Sequence, residues 1–324
     1  MKHIFVVNPA AGKGKNIPSL LASITYACED LHVEYDIYHT QSVGDATVYV
    51  SEKCKQNPNE KFRFYACGGD GTMNEVANAV VGIDNAQLAV VPKGTGNDFV
   101  KIFSSPENFN DIGKIICGKP MKMDIIKFND KYSLNILNVG FDCDVVKRVE
   151  EIKRGALVLP GMAYPLGILK TLTSSYGTNL KITTDNGDVF EGEHLLALFA
   201  NARYYGGGYK SAPYAYVNDG LMDVCVVEKI PRSKFIRIIP QYKNGTYYEN
   251  PEKVPFVHYV KCKRVILESE KTIGICADGE ISPIKRAEIE IVSNAINVVV
   301  PQGCKCRAEF KSLNINKETT LEKV

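Results

Sequence analysis

The chain has 324 residues, 45% of them hydrophobic and 23% charged, with a net charge of +2. That length accommodates about two domains, the composition is that of an ordinary folded protein, and so small a charge excludes the strongly basic field of a nucleic-acid binder. No uninterrupted apolar run reaches the about 18–20 residues that a membrane-spanning helix needs, and no cysteines or histidines fall at zinc-ligand spacing.

His3–Val7 reads as a strand, followed by the glycine-rich basic loop NPAAGKGK (Asn8–Lys15) and a helical stretch over Ser19–Cys28. The apolar run at the start is too short for a signal peptide. Together with scattered cysteines, among which Cys304-Lys305-Cys306 is read as incidental, it points to a reducing, cytoplasmic setting. Val33–Thr40 alternates like a strand, Gly44–Cys54 like a helix, and Phe62–Cys67 is a strand. GGDGTMNE follows, and then a helix over Met73–Val81. Leu88–Pro92 is another strand, leading through PKGTGNDF into a helix near Asn97–Phe103. Strands alternating with helices predict a parallel sheet with helices on both faces, with sites in the loops beyond the carboxyl ends of the strands.

From about Met123 the texture changes to strand-like runs joined by Asp-Gly and Asn-Gly turns, broken by helical stretches at Asp144–Lys153 and Arg232–Tyr242. A second, mostly antiparallel β-sandwich domain is predicted. The boundaries expected are 1–122 and 123–294, with a last strand near 295–310 that can return to the first domain, and a polar tail over 312–324. ALVLPGMAYPLGILKTL (Ala156–Leu172) is broken by two prolines and two glycines, so it reads as an irregular loop plus a short buried helix.

Three strand-end loops carry the chemistry. In GGDGTMNE, Thr72 and Glu75 fit a capping box, and one glycine suffices for a tight turn. Neither accounts for Asp70. Glycines at a helix N-terminus admit an anion, yet a bare carboxylate there repels phosphate unless a divalent cation lies between. Asp70 therefore points to Mg²⁺-nucleotide rather than plain phosphate. In PKGTGNDF, Asn97 or Asp98 can cap a helix, leaving the other for a ligand or a metal-bound water. The Walker A sequence and the dinucleotide fingerprint G-x-G-x-x-G are both absent.

In their order, NPAAGKGK, GGDGTMNEV, PKGTGNDF, NVGFDCD, YYGGGYKSAP, VNDGLMDV and CADGE resemble the catalytic domain of diacylglycerol and sphingosine kinases, in particular the soluble bacterial diacylglycerol kinases. The resemblance covers nearly the whole chain. It implies an ATP-dependent lipid kinase with an α/β nucleotide-binding domain, a β-sandwich domain and an active site between them. Carried over residue by residue, it implies ATP binding by Asn8, Pro9, Ala10, Ala11, Gly12, Thr40, Gly69, Asp70, Gly71, Thr72, Met73, Asn74, Glu75 and Thr95. Ala11 stands where many members carry serine. Asp70 and Asp98 would organise the catalytic Mg²⁺, and Glu280 would be the general base. A structural Mg²⁺ would be held by the Asp219 carboxylate and the carbonyls of Tyr216 and Leu221.

The implied acceptor is a membrane lipid, diacylglycerol or a relative, reached by peripheral, transient contact at the inner face of the cell membrane. Apolar residues near Leu157–Leu172 are the expected contact. No nucleic-acid partner is implied, and a homodimer is left open. Two alternatives stand beside this reading: an NAD kinase-like enzyme phosphorylating a soluble dinucleotide, and a nucleotide- or lipid-binding regulator without catalysis.

Overall fold

A computed structural model of the chain describes residues 1–14, 17–155, 162–174 and 176–306. Lys15, the 156–161 part of the apolar stretch and the polar tail lie outside the described residues.

The first half alternates as its hydrophobic periodicity requires: β1 (Lys2–Val7), α1 (Ile17–Asp30), β2 (Tyr35–His39), α2 (Asp45–Gln56), β3 (Phe62–Gly68), α3 (Asp70–Val80) and β4 (Ala86–Pro92). Neighbouring strands β2, β1, β3 and β4 pair parallel, with Val7 beside Cys67 and Gly68 beside Pro92. Successive side chains point to opposite faces of a strand. Ile4, Val6, Phe64, Ala66, Leu88 and Val90 therefore pack with residues of α2 and α3. Phe5, Val7, Tyr65, Cys67, Ala89 and Val91 pack on the other face with α1 and α4 (Ile112–Ile116). Every residue of β3 is buried, as a strand covered on both faces demands, and its Phe62 and Phe64 side chains each contribute about 1.5–3 kcal/mol of burial. That burial brings the ends of β1, β3 and β4 into line.

The second half holds β5 (Lys119–Phe128), β6 (Lys131–Ser133), β7 (Ile136–Gly140), α5 (Phe141–Gly155), α6 (Ala163–Thr173), β8 (Thr178–Thr184), β9 (Val189–Ala200), β10 (Met222–Glu228), α7 (Arg232–Asn244), β11 (Val257–Cys262), β12 (Arg264–Ala277) and β13 (Glu280–Val300). Its strands pair antiparallel. Strand β13 spans both halves: Glu280 pairs with Ala277 of β12, whereas Val298 pairs parallel with Leu88 of β4.

Three local expectations are corrected. Residues 97–103 do not form an α-helix: Asn97 has φ 48°, and only a 3-10 turn over Phe99–Ile102 follows, because a left-handed residue breaks the helical run. The expected short buried helix is the eleven-residue α6, and its Leu166 and Leu169 are 38% and 60% exposed. Strand β11 has no counterpart among the expected elements; its alternation is weak because four of its six residues are only half-buried. Among the described residues no helix is long and apolar enough to cross a membrane, and all ten cysteines are free thiols.

Candidate functional site

The loops after β1, β3 and β4 converge at one edge of the parallel strands. The Asn8 N–H donates to the Cys67 carbonyl (3.0 Å), the Lys93 N–H to the Gly68 carbonyl (2.7 Å), and the Thr40 N–H to the Val7 carbonyl (3.0 Å). Asn8 also donates through Nδ2 to Thr72 Oγ1 (3.0 Å) and accepts at Oδ1 from the Ala10 N–H (2.9 Å). The glycines divide into two kinds. A Cβ on Gly68 would lie 2.3 Å from Thr72 Oγ1, and one on Gly94 would lie 2.6 Å from the Gly69 Cα, so these let the loops touch. A Cβ on Gly71 would meet nothing within 4 Å. Of Gly68, Gly69, Gly71, Gly94 and Gly96, Gly71 alone borders open space.

Helix α3 begins at Asp70 with Gly69 as its cap, three residues before the expected start. The capping box therefore does not form. Thr72 lies inside the helix, bonded to Asn8, and Glu75 accepts at its two carboxylate oxygens from the Gly44 N–H (3.0 Å) and the Ala46 N–H (3.2 Å) at the start of α2. Met73 is buried in the core cluster between α2, α3 and the sheet. In the run Gly69–Glu75 the side chains beyond Gly71 thus serve the fold, and what the first turn of α3 offers a ligand is backbone N–H and positive helix-end potential.

Asp70 and Asp98 form the charged centre of this edge. The Asp70 carboxylate accepts the N–H groups of Asn97 (2.9 Å) and Asp98 (3.0 Å). Burial and the neighbouring Asp98 charge raise its pKa, against the pull of those two N–H groups. Asp98 is buried, accepting at Oδ1 from Lys101 Nζ (2.5 Å) and at Oδ2 from the Gly207 N–H (2.8 Å) in the second half of the chain. Neither Asn97 nor Asp98 caps a helix: Asn97 instead bonds the backbone of Gly94 (3.1 and 2.8 Å). Two neighbouring carboxylates, with one ammonium bonded to Asp98, leave a negative charge that suits a divalent cation with oxygen ligands. Thr95, Gly12, Pro9 and Ala10 are exposed and Ala11 is half-buried, and a Cβ on Gly12 would lie 3.1 Å from the Lys93 carbonyl.

Glu280 is exposed at the start of β13, directly after the two-residue turn Asp278-Gly279. Both turn residues have positive φ (46° and 97°), the geometry of a tight hairpin. The Asp278 carboxylate points away from solvent to accept the N–H groups of Leu134 (2.8 Å), Asn135 (3.1 Å) and Ile136 (3.3 Å). Burial pushes its pKa up to about 6 in spite of those donors. Asn74 of α3, with its amide nitrogen assigned toward its acceptors, lies 3.3 Å from Asp278 Oδ2 and 3.2 Å from the Tyr132 carbonyl. The hairpin bearing Glu280 is thereby tied to the helix that begins at Asp70. Ile281 helps line a cleft of about 390 Å³ with Asp144, Lys147 and Glu151 of α5.

At the second anticipated cation position, Asp219 is exposed. It accepts at Oδ1 from the Leu221 N–H (3.0 Å) and at Oδ2 from Lys261 Nζ (2.9 Å), which also bonds the buried Asp223 (2.9 Å). Asp124 lies close enough for the Asp219 charge to help raise its pKa, after burial. Of these, Asp219 is the exposed carboxylate, on a turn whose backbone carbonyls are the other oxygen donors that a hard divalent cation takes. Among the described residues there is no group of three or more His, Cys, Asp or Glu with metal-cage geometry. Sequence reasoning passed over Asp278, Gly207 and Lys101. The Asp-Gly pair signalled a turn and YYGGGYK a glycine loop, but neither indicates which distant group it reaches.

Comparison with known proteins follows the same two halves. Residues 2–128 match the diacylglycerol kinase catalytic domain, and residues 135–300 match the YegS C-terminal NAD kinase beta sandwich-like domain. The chain is 30% identical over 302 residues to a diacylglycerol kinase of Bacillus subtilis (strain 168), covering 92% of this chain and 95% of the relative. It is also 30% identical over 305 residues to a diacylglycerol kinase of Staphylococcus saprophyticus subsp. saprophyticus, covering 93% and 95%. A crystal structure of a Bacillus anthracis str. Sterne protein, provisionally assigned as a diacylglycerol kinase, matches with a TM-score of 0.74 at 26% identity, covering 93% of this chain and 97% of the other.

Proposed function

The chain belongs to the diacylglycerol kinase family and is an ATP-dependent lipid kinase; we propose that it phosphorylates the primary hydroxyl of diacylglycerol or a close relative. The observation that carries the site assignment is the Asp70–Asp98 pair beside the open first turn of α3, linked through Asn74 and Asp278 to the hairpin that presents Glu280.

In this reading residues 1–122, with the returning end of β13 up to Val300, form the nucleotide-binding half, a parallel sheet covered on both faces. Residues 123–294 form the acceptor half. Asn8–Gly12, Thr40 and Thr95 line the nucleotide, and the N–H groups at the start of α3 bind its phosphates where Gly71 leaves room. Mg²⁺, when bound, would supply positive charge against the phosphates of the transferring group. Asp70 and Asp98 would hold that cation. Glu280 accepts the proton of the acceptor hydroxyl as its oxygen bonds to the γ-phosphorus and the bond to ADP breaks. Asp219, with the Tyr216 and Leu221 carbonyls, would hold a second, structural Mg²⁺.

The acceptor lives in a bilayer, so the enzyme meets it by peripheral, transient contact at the cytoplasmic face. The exposed Leu166 and Leu169 of α6 are apolar surface of the kind such contact needs.

The test is transfer from labelled ATP to a panel of diacylglycerol, sphingosine, ceramide and phosphatidylglycerol in mixed micelles, and to NAD without detergent. Phosphatidic acid formation is expected, and Glu280→Gln should lower kcat by about 10²–10⁴-fold with the ATP KM little changed. Transfer to NAD alone would decide for the dinucleotide enzyme, and a fully active Glu280→Gln would remove it as the base.

A further inference from the structure

We propose that Asp142 is a positioning residue that sets the orientation of Asp98 across the junction of the two halves, acting through Tyr205 and the glycine loop that follows it. The proposal rests on the assignment of Asp98 to the reaction.

Asp142 stands in the first turn of α5 and is 6% exposed. Its Oδ2 accepts from the hydroxyls of Tyr205 and of Tyr242 (3.1 Å), and those two hydroxyls lie 3.0 Å apart. Among the described residues no cation pairs with it. Burial pushes its carboxyl up to about 6, the two hydroxyls pulling the other way. A carboxyl so placed costs stability relative to an apolar side chain of similar size, so its presence calls for a task beyond filling the core.

Tyr205 opens a closed loop. Its N–H donates to the Tyr209 carbonyl (3.0 Å), and the Tyr209 N–H donates back to the Tyr205 carbonyl (2.9 Å). Gly206, Gly207 and Gly208 between them have φ of 60°, 83° and 115°, values that side-chain-bearing residues rarely adopt. A three-glycine loop has much conformational freedom to lose, and its order must come from its ends. Tyr205 supplies one such end, with its ring buried in the core cluster and its hydroxyl held by Asp142. The Gly207 N–H at the loop's tip then donates to Asp98 Oδ2 (2.8 Å). Lys101 holds the other oxygen of Asp98 (2.5 Å), and its Nζ lies 3.4 Å from where a Gly208 Cβ would be. Asp98 is thus gripped from both sides, by an ammonium of its own turn and by an N–H whose position depends on Asp142. Displacing that N–H by an ångström would leave Lys101 as the one donor to the Asp98 carboxylate and turn the carboxylate toward that ammonium.

The experiment compares the full chain with Asp142→Asn, Tyr205→Phe, Asp98→Asn and the Asp98→Asn/Asp142→Asn pair, reading melting temperature, kcat and the KM for ATP. Asp142→Asn and Tyr205→Phe should each lower kcat about ten-fold with the ATP KM within about two-fold, as expected for a misplaced catalytic group. The double variant should be no slower than Asp98→Asn, because Asp142 acts through Asp98. A double variant slowed by the product of the two single effects overturns the proposal, as does a fully active Asp142→Asn beside a crippled Asp98→Asn. Full activity in Asp98→Asn overturns instead the site assignment beneath it. Should Asp142→Asn melt too low to assay, Tyr205→Phe decides: a wild-type kcat rejects the proposal and a ten-fold loss supports it.

Discussion

Replacing Gly71 with alanine separates the two uses to which a glycine can be put at this edge of the sheet. Gly71 is the second residue of α3, its φ is not in the left-handed region, and an added Cβ would meet nothing within 4 Å. In the free protein the change removes a glycine from a helix. That is worth up to about 1 kcal/mol in a helix interior and less in the first turn, so the melting temperature should rise by about 1–3 °C. The same methyl group would stand in the space through which phosphate oxygens must approach the N–H groups of that turn. The KM for ATP should therefore rise about ten-fold or more, one hydrogen bond to a charged group being worth about 1.5–3 kcal/mol. Differential scanning fluorimetry with and without Mg²⁺-ATP, alongside ATP titration of the kinase rate, reads both effects. A melting temperature that falls would contradict the open space at Gly71. An ATP KM within two-fold of wild type would mean that the phosphates do not use the first turn of α3.

Gly94→Ala should behave oppositely. Its Cβ would lie 2.6 Å from the Gly69 Cα and 3.0 Å from Asn97 Oδ1, overpacking that costs about 1–3 kcal/mol, so a melting temperature equal to wild type would refute the close approach of the two loops. For the carboxylate turn at Asp219, Mg²⁺ without nucleotide should raise the melting temperature of the wild type, by about 2.7 kcal/mol of stability at a hundred times its Kd. The gain should vanish in Asp219→Asn, and an equal gain in both proteins would place the cation elsewhere. Asp142 makes stability depend on pH. Its folded pKa of about 6 lies above the ordinary 3.8, so the folded state binds the proton more tightly. The stability this contributes is present in full below about pH 4 and is lost as pH rises through about 6, to a limit of about 3 kcal/mol. Urea unfolding from pH 4 to 7 should show wild type losing stability relative to Asp142→Asn over that window, and a constant difference would refute the shift.

The parts of this molecule legible from sequence are those whose cause is local. The parallel strands announce themselves because burial on both faces leaves β3 apolar over FRFYACG but for Arg63, which reaches the carbonyls of Ile115, Ile116 and Gly118. Asp70 stands out because a charge amid glycines needs a reason. The tight Asp278-Gly279 turn is visible because few other residue pairs accept two left-handed conformations in succession. The capping box failed although its pattern is a good one. Thr72 and Glu75 satisfy the local spacing, but Gly44 and Ala46, about thirty residues away in sequence, offer Glu75 two unsatisfied N–H groups at the head of α2. A local motif cannot reveal a distant competitor for the same side chain. Asp278 reaches amides 142–144 residues away and Asp98 one 109 residues away, partnerships that exist only in the folded chain.

The glycines show the same limit within a single turn. Of Gly68, Gly69 and Gly71, the first is required by Thr72 and the second by Gly94. Only the third remains for a ligand, although nothing in the spelling of GGDGT distinguishes it from the other two. Asp70 is likewise less bare than its neighbours in sequence suggest. Its carboxylate is shaped by two N–H groups of the loop after β4 before any cation arrives. The charge that seems misplaced in a phosphate cradle is thus part of the join between the two loops, and it reaches the cradle already oriented.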